Sequence, residues 1–218
     1  MSTDDWANYE ALPLRRDELF ERTMAVFVRQ RIRFLEMARG AVWDPLGFRY
    51  AFDQDLENLD SPREALLAGQ QWQRLIMDFA LPPPAVDLEL HLFHGQPRFA
   101  TMEGLSIRYN ETESRLARND RGRADAFLAL FQDLGVALDQ AAMVCGSDLD
   151  SRAYSAAELE KAFASRVAAP IDRAHNFMHT ALFQDDVFQR LKDAPGLAAY
   201  ARRRVAPGYQ LATLLIPS

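Results

Sequence analysis

Cysteine and lysine are nearly absent from this chain. Cys145 is the single cysteine among 218 residues, so no intramolecular disulfide can form and no zinc site built on several thiolates is possible. Its neighbours Met143 and Val144 are apolar, and we expect Cys145 to be a buried, inert thiol. The only lysines, Lys161 and Lys192, leave little material for Schiff-base or lysine-base catalysis.

Long apolar runs and an excess of positive charge are also missing. No apolar run approaches the roughly 20 residues that span a bilayer. The opening residues MSTDDWANYE are acidic and polar, whereas a secretory signal is basic and then apolar. These features predict a cytoplasmic protein without a membrane partner. With 31 acidic against 25 basic side chains and a net charge of -6, the chain is not expected to bind nucleic acid, and an electropositive partner suits it better.

Motifs for phosphate and metal binding are absent from the sequence. The ten glycines are scattered, and neither G-x-x-x-x-G-K-[ST] nor G-x-G-x-x-G occurs. His175 and His179 have the spacing of the zincin helix, but Asn176 stands where that motif has glutamate. His91 and His94 are three apart, and an extended strand turns such residues to opposite faces. We therefore expect neither a metal ion nor another cofactor.

Hydrophobic periodicity predicts several helices. Residues 15–39 contain no Pro and end before Gly40, and apolar side chains recur at helical spacing, which predicts one long helix. Ser61, Pro62 and Glu64 have the arrangement of a capped helix start, and the predicted helix extends to residue 80 with Trp72 in the core. Further helices are predicted at residues 124–140, 155–167, 184–194 and 196–205.

Alternation of apolar and polar residues predicts strands. In DLELHLFHGQPRF, which begins at Asp87, leucines alternate with polar residues, as in a half-buried strand. With RFATM and GLSIRYN this stretch predicts a local antiparallel meander. Glu89 and His91 share the polar side, which would face water, a substrate or another protein. Further strands are predicted at residues 47–52, 141–146 and 209–217, and residues 171–183 fit a helix or a strand.

The mixture of elements predicts the fold class. Helices and strands follow one another without a regular strand-helix-strand repeat, which favours an α+β fold over a doubly wound parallel sheet. We expect a single compact domain over residues 1–218, with an antiparallel meander sheet packed against several helices. The proline-rich bend at residues 81–86 is the candidate boundary between two subdomains.

Clustered carboxylates are the main candidates for a binding surface. The side chains that we single out lie in FDQDLENLDS and GSDLDSR and are Asp53, Asp55, Glu57, Asp60, Asp148 and Asp150. The first stretch lacks the spacing of a calcium-binding hand, which leaves a solvated loop or a docking surface as its interpretation. Trp6, Tyr9, Trp43 and Tyr154 are candidate partners in such a surface, where charge steers the encounter and aromatic side chains anchor it.

An acidic, motif-poor α+β chain of this size resembles the immunity proteins of bacterial polymorphic-toxin and type VI secretion systems. The order of elements is similar to that of immunity families paired with nuclease toxins of restriction-endonuclease fold. The likeness covers most of the chain as a layout: a charged N-terminal helix, DLELHLFHGQPRF with GLSIRYN, ADAFLALFQDLGVALDQ before MVCGSD, and a closing PGYQLATLLIP.

The resemblance implies a non-enzymatic antitoxin that binds one cognate toxin, a nuclease, and blocks its active site or holds it inactive. Nuclease clefts are electropositive, so an acidic surface would associate with one quickly. The stretch from Asp53 to Asp60 is then the first candidate for contact, and Asp148 with Asp150 is the second. Two other functions remain open: a hydrolase of unfamiliar type that uses a pocket around His91, His94 or His175, and a scaffold or chaperone of secretion machinery.

Overall fold

A computed structural model of the chain describes residues 5–9, 15–43, 50–82, 87–93, 104–109, 121–147, 156–164 and 177–214. Its helices are α1 Arg16–Arg29, α2 Pro62–Ala68, α3 Arg121–Ala137, α4 Ala156–Ala164 and α5 Asp185–Leu191, and a 3-10 turn covers Pro195–Leu197. Its strands are β1 Asp5–Tyr9, β2 Arg33–Trp43, β3 Tyr50–Leu56, β4 Arg74–Ala80, β5 Asp87–Phe93, β6 Gly104–Tyr109, β7 Ala142–Ser147, β8 Phe177–Gln184, β9 Ala201–Ala206 and β10 Tyr209–Thr213.

The ten strands form one sheet in the order β3-β2-β4-β5-β6-β1-β7-β8-β10-β9. Every neighbouring pair in this order is antiparallel. The predicted α+β class with an antiparallel sheet is therefore confirmed. Strands β4 and β5 flank the proline-rich bend and pair along their whole length, from Arg74 opposite Phe93 to Ala80 opposite Asp87.

The two faces of the sheet carry different layers. Helices α1, α2 and α3 pack on one face, which we call the α1 face, and its core includes Leu90 of β5 and Phe131 of α3. On the opposite face, the α4 face, helices α4 and α5 cover the region of β7, β8 and β10 around Phe183. Alternation along each strand assigns its residues to the two faces: Met143 belongs to the first core and Val144 to the second.

The first predicted helix is too long. Helix α1 ends at Arg29, and residues that were expected to continue it form β2. Arg31 takes a left-handed conformation, with φ of 57°, and the backbone N–H of Ile32 donates to the carbonyl of Phe27 at 2.9 Å. This is the Schellman termination, which usually has glycine where Arg31 stands, so no glycine marks the end of the helix.

The second predicted helix is also divided. Its start is confirmed, but α2 ends at Ala68 and the following residues form β4. Trp72 is buried as expected, but it lies between α2 and β4. Its ring packs against Gly40 of β2, where a larger residue would overlap the ring. The helix predicted at residues 196–205 is wrong as well, because a 3-10 turn lies at its start and β9 occupies its second half.

The remaining helices and strands agree better with the expectations. Helices α4 and α5 and strands β5, β6 and β10 lie within the predicted stretches, and α3 and β7 overlap theirs apart from a few terminal residues. The undecided stretch 171–183 contributes to β8. The strand predicted in RFATM lies outside the described residues. Among the helices that the structure describes, none has the length and apolar character needed to cross a bilayer.

Candidate functional site

The polar side of β5 does not simply face water. Leu88, Leu90 and Leu92 enter the core of the α1 face, so Glu89 and His91 lie on the α4 face. The ring of His91 is only 2% exposed there. The alternating pattern of β5 thus includes a polar side chain that is buried. Burial of a polar group requires compensating contacts.

Three arginines from neighbouring strands supply those contacts. Arg74 of β4 donates from Nη2 to Nδ1 of His91, and Nε2 of His91 lies 2.8 Å from Oε2 of Glu89. Nη1 of Arg108, on β6, donates to both Glu89 oxygens at 3.0 and 2.9 Å. Arg39 of β2 brings Nη2 to 3.9 Å from Oε1 of Glu89. We call these five residues the Glu89–His91 network, and it links four adjacent strands.

The hydrogen-bond partners determine the protonation state of His91. A guanidinium can only donate and a carboxylate can only accept, so Nδ1 accepts from Arg74 while Nε2 carries the proton and donates to Glu89. A second proton on Nδ1 would face a donor. Burial and the charge of Arg74 lower the pKa of His91 from 6.5 to about 3, despite the opposing effect of Glu89. His91 is therefore neutral near pH 7.

Glu89 is held in its charged form by the same contacts. Burial alone raises the pKa of this carboxyl group, but hydrogen bonds from His91 and Arg108 and the charge of Arg108 outweigh burial and hold the pKa at about 2. Asp78 is the register partner of Glu89 on β4 and adds a second carboxylate to this part of the α4 face. Both ring nitrogens of His91 thus have a hydrogen-bond partner, and Glu89 contacts both His91 and Arg108.

This arrangement does little for acid-base chemistry. A general base must reach the proton that it abstracts, and His91 would first have to break a bond to Arg74 or to Glu89. Arg74 and His91 are buried, and their contacts with each other and with Glu89 instead favour the observed strand pairing, because removal of one of the three takes a partner from another. We interpret the network as a structural element of the sheet.

The acidic side chains predicted to bind a partner lie at the end of the sheet. Strand β3 is one of the two edge strands of the described sheet. Asp55 on this strand is exposed and is the register partner of Arg39. The backbone of Asp53 pairs with Ala41, whereas its side chain lies outside the described part. We call Asp53, Asp55, Glu57 and Asp60 the acidic edge.

The loop that continues the acidic edge is fixed at both ends. Leu59 is buried in the core of the α1 face, whereas Glu57 and Asp60 on either side of it are exposed. The backbone N–H of Asp60 donates to Oε2 of Glu64 at 2.7 Å, and the N–H of Glu64 donates to Oγ of Ser61 at 3.2 Å. The bond to Ser61 is the N-cap contact expected from the sequence, whereas Glu64 accepts from Asp60 and not from the N–H of Ser61, which makes this a variant of the capping box. The acidic side chains therefore project from a loop with little freedom.

Several other predicted positions lie outside the part of the chain that the structure describes. Asp148 and Asp150 lie outside the described residues, as do His94, His175 and Tyr154. The side chains of Trp6, Tyr9 and Trp43 are outside the described part as well.

The remaining histidine and the cysteine lie in the core. His179 is fully buried on β8, not on a helix, and its Nδ1 lies 2.9 Å from Oγ1 of Thr180. The zincin geometry, which needs both histidines on one helix, is therefore wrong for the His175 and His179 pair. Cys145 is fully buried, as expected for an inert thiol. Within the residues that the structure describes, no three His, Cys, Asp or Glu side chains are grouped for metal binding.

Sequence reasoning missed the arginines of the network. Arg39 and Arg74 lie in stretches whose periodicity predicts helices, so their positions on β2 and β4, on the same side of β5, are not evident from the sequence. Arg108 could have been found, because it alternates with Ile107 in GLSIRYN and therefore faces the same way as Glu89 in a paired strand.

Comparisons with known proteins give no independent assignment of this arrangement: no family model, no curated protein and no solved structure matches the chain.

Proposed function

We propose that this chain is a non-enzymatic immunity protein that binds and neutralises a cognate bacterial toxin, a nuclease, through its acidic edge. The observation that carries the proposal is the position of Asp55, Glu57 and Asp60. All three are exposed, and they follow one another along the terminal strand of the sheet and the loop beyond it. A partner with an electropositive cleft would meet this edge without displacing another element of the sheet.

The conformation of the loop supports a binding role. A surface that is ordered before binding loses less conformational entropy on association than a flexible one. Leu59 and the capping box at Ser61 restrain the acidic side chains in this way. Arg63 is the nearest cation along α2. Its Nη1 lies 3.5 Å from Oε1 of Glu21 on α1, so Arg63 forms an ion pair with a residue outside the acidic edge. Long-range attraction toward a basic partner is the expected result.

The composition of the network supports the non-enzymatic part of the proposal. His91 has both ring nitrogens engaged and is buried, so the polar group closest to a catalytic arrangement already serves the fold. The toxin class and its secretion by a type VI system come from the resemblance in the order of elements, and the cytoplasmic location remains a prediction from the N-terminal sequence and the short apolar runs.

The proposal is tested by capture followed by a toxicity assay. The tagged chain is used to isolate its partner from the native host, and the partner is then expressed alone in a laboratory bacterium. We expect growth to stop, and we expect co-expression of the chain to restore it. A captured partner that is harmless when expressed alone would favour the chaperone or scaffold function and contradict the proposal.

A charge-reversed variant localises the binding surface in the same assay. We expect Asp55→Lys, Glu57→Lys and Asp60→Lys together to abolish the rescue of growth. The matched control reverses three exposed carboxylates on α3, on α5 and just after α5, at Asp125, Asp186 and Asp193. This control carries the same change in net charge and should still protect. If both triple variants protect equally well, the acidic edge is not the binding surface.

A further inference from the structure

The first strand of the chain joins two groups of strands in the middle of the sheet. Strand β1 lies between β6 and β7 in the strand order, and β6 and β7 are not neighbours. Its pairing with β6 runs from Asp5 opposite Tyr109 to Asn8 opposite Ser106. Its pairing with β7 begins with Asp5 opposite Ser147. Without β1 the sheet would consist of a five-stranded group and a four-stranded group, each with an edge facing the other.

The sequence of β1 is poorly suited to this position. The strand reads DWANY, and Asp, Ala and Asn are all depleted in strands. Its neighbour β6 reads GLSIRY and β8 reads FMHTALFQ, which contain more of the residues that favour strands. A segment whose own preference disagrees with its place in the fold is held there by its neighbours. Trp6 and Tyr9 favour a strand, but the other three residues of β1 do not, so its place in the sheet depends strongly on its neighbours.

The slot that β1 fills is maintained by other contacts. Ile107 of β6 and Cys145 of β7 both belong to the core of the α1 face, which also contains α1 and α3. The two strand groups thus share a hydrophobic core in addition to β1. Release of β1 would leave two facing rows of backbone N–H and carbonyl groups, which need new partners. A strand of suitable register satisfies both rows at once.

We propose that the slot between β6 and β7 is an exchangeable strand-binding site, and that its second occupant is the β1 segment of another copy of this chain. The segment whose register with both edges is known is Asp5–Tyr9 itself. The same segment from a second copy makes the same hydrogen bonds, so reciprocal exchange yields a closed dimer as the protein concentration rises. This inference is independent of the proposed function.

A disulfide trap in the full chain tests the exchange. Asn8→Cys and Ser106→Cys place thiols on register partners of β1 and β6, in a Cys145→Ala background that removes the native thiol. The protein is incubated at low and high concentration in mild urea, diluted, oxidised and analysed without reductant. We expect the fraction of covalent dimer to increase with concentration. Only intramolecular disulfide at every concentration would overturn the proposal.

A matched pair controls for nonspecific dimer formation. Arg204 and Gln210 are register partners on β9 and β10, which are joined by a short turn and cannot exchange separately. Arg204→Cys with Gln210→Cys, in the same background, should give intramolecular disulfide alone. Equal dimer yields from this pair and from the β1 pair would also contradict strand exchange.

A peptide experiment keeps the proposal testable if the cysteine variants do not fold. A fluorescent peptide of residues 1–14 is mixed with the unaltered full chain, and its incorporation is followed by size-exclusion chromatography. The control peptide carries Ala7→Pro, which removes an N–H that a central strand needs. We expect the amount of incorporated control peptide to be at least about tenfold lower than that of the unaltered peptide. Equal incorporation of the two peptides, or none of either, would overturn the proposal.

Discussion

Glu89 and Asp55 lie near the same arginine but in opposite environments. Asp55 is the register partner of Arg39, and Oε1 of Glu89 lies 3.9 Å from the guanidinium of Arg39. Glu89 also accepts hydrogen bonds from Arg108 and contacts His91, whereas Asp55 is exposed at the edge of the sheet. The comparison shows how one sheet uses carboxylates in two ways. A charge satisfied within the protein stabilises strand pairing, and a charge left at the surface remains available to a partner.

The largest expected difference between the two kinds of carboxylate is in stability. Glu89→Ala leaves Arg108 and His91 without their acceptor, and we expect the free energy of unfolding to fall by about 3 kcal/mol. Glu57→Ala removes the same charge at an exposed position and should change it by less than about 0.5 kcal/mol. Urea denaturation of both variants measures the two values. Similar losses would mean that Glu89 is not part of a structural network.

The protonation of His91 gives the next largest effect. The pKa of His91 is lowered from 6.5 to about 3 in the folded chain, and that of Glu89 from 4.5 to about 2. In both cases the unfolded state binds the proton first as the pH falls. Stability from His91 is therefore complete above pH 6.5 and decreases toward pH 3, and stability from Glu89 decreases between pH 4.5 and 2.

The histidine contribution is measured by comparison with His91→Gln. One proton taken up on unfolding corresponds to about 1.4 kcal/mol per pH unit. We expect the stability of the unaltered chain to fall more steeply than that of the variant between pH 6 and about 5, where carboxylates contribute least. Parallel curves over this range would contradict a neutral, buried His91.

The smallest predicted effect concerns the loop of the acidic edge. Ser61→Ala removes the acceptor for the N–H of Glu64, and we expect it to lower the free energy of unfolding by about 1 kcal/mol. The loss of loop order should also weaken partner binding slightly, without changing the charge of the edge. Ser61→Thr retains a hydroxyl acceptor and serves as the control in both measurements. Stronger partner binding by Ser61→Ala would show that loop order is not required.

Local patterns predicted the elements whose signals lie within a few residues. The alternation of β5 and β6, the periodicity of α3 and the capping residues of α2 all led to the observed structure. The acidic edge was also found, because its members are close in sequence. Such features depend on the conformation and burial of one short segment, and the residue pattern of that segment alone predicts them.

Elements set by tertiary contacts were missed. Strand β2 contains FLEMAR, whose residues include strong helix formers, but pairing with β3 and β4 outweighs that preference. The end of α1 depends on Arg31 in a left-handed conformation, and the end of α3 depends on Asp139 in the same conformation. Neither residue is the glycine that usually marks such an end. Because the sequence pattern of β2 and β4 predicts helices, the contacts of Arg74 with His91 and of Arg39 with Glu89 could not be predicted.

The association rate of the chain with its captured partner, measured as a function of ionic strength, tests the central claim most directly. The Debye length shrinks from about 30 Å at about 0.01 M salt to about 3 Å at about 1 M, so charge steering is lost over this range. We predict that the rate for the unaltered chain falls by about tenfold or more, and that Asp55→Lys, Glu57→Lys and Asp60→Lys together make it slow at low salt. Equal rates for the unaltered chain and this variant at low salt would contradict the assignment of partner binding to the acidic edge.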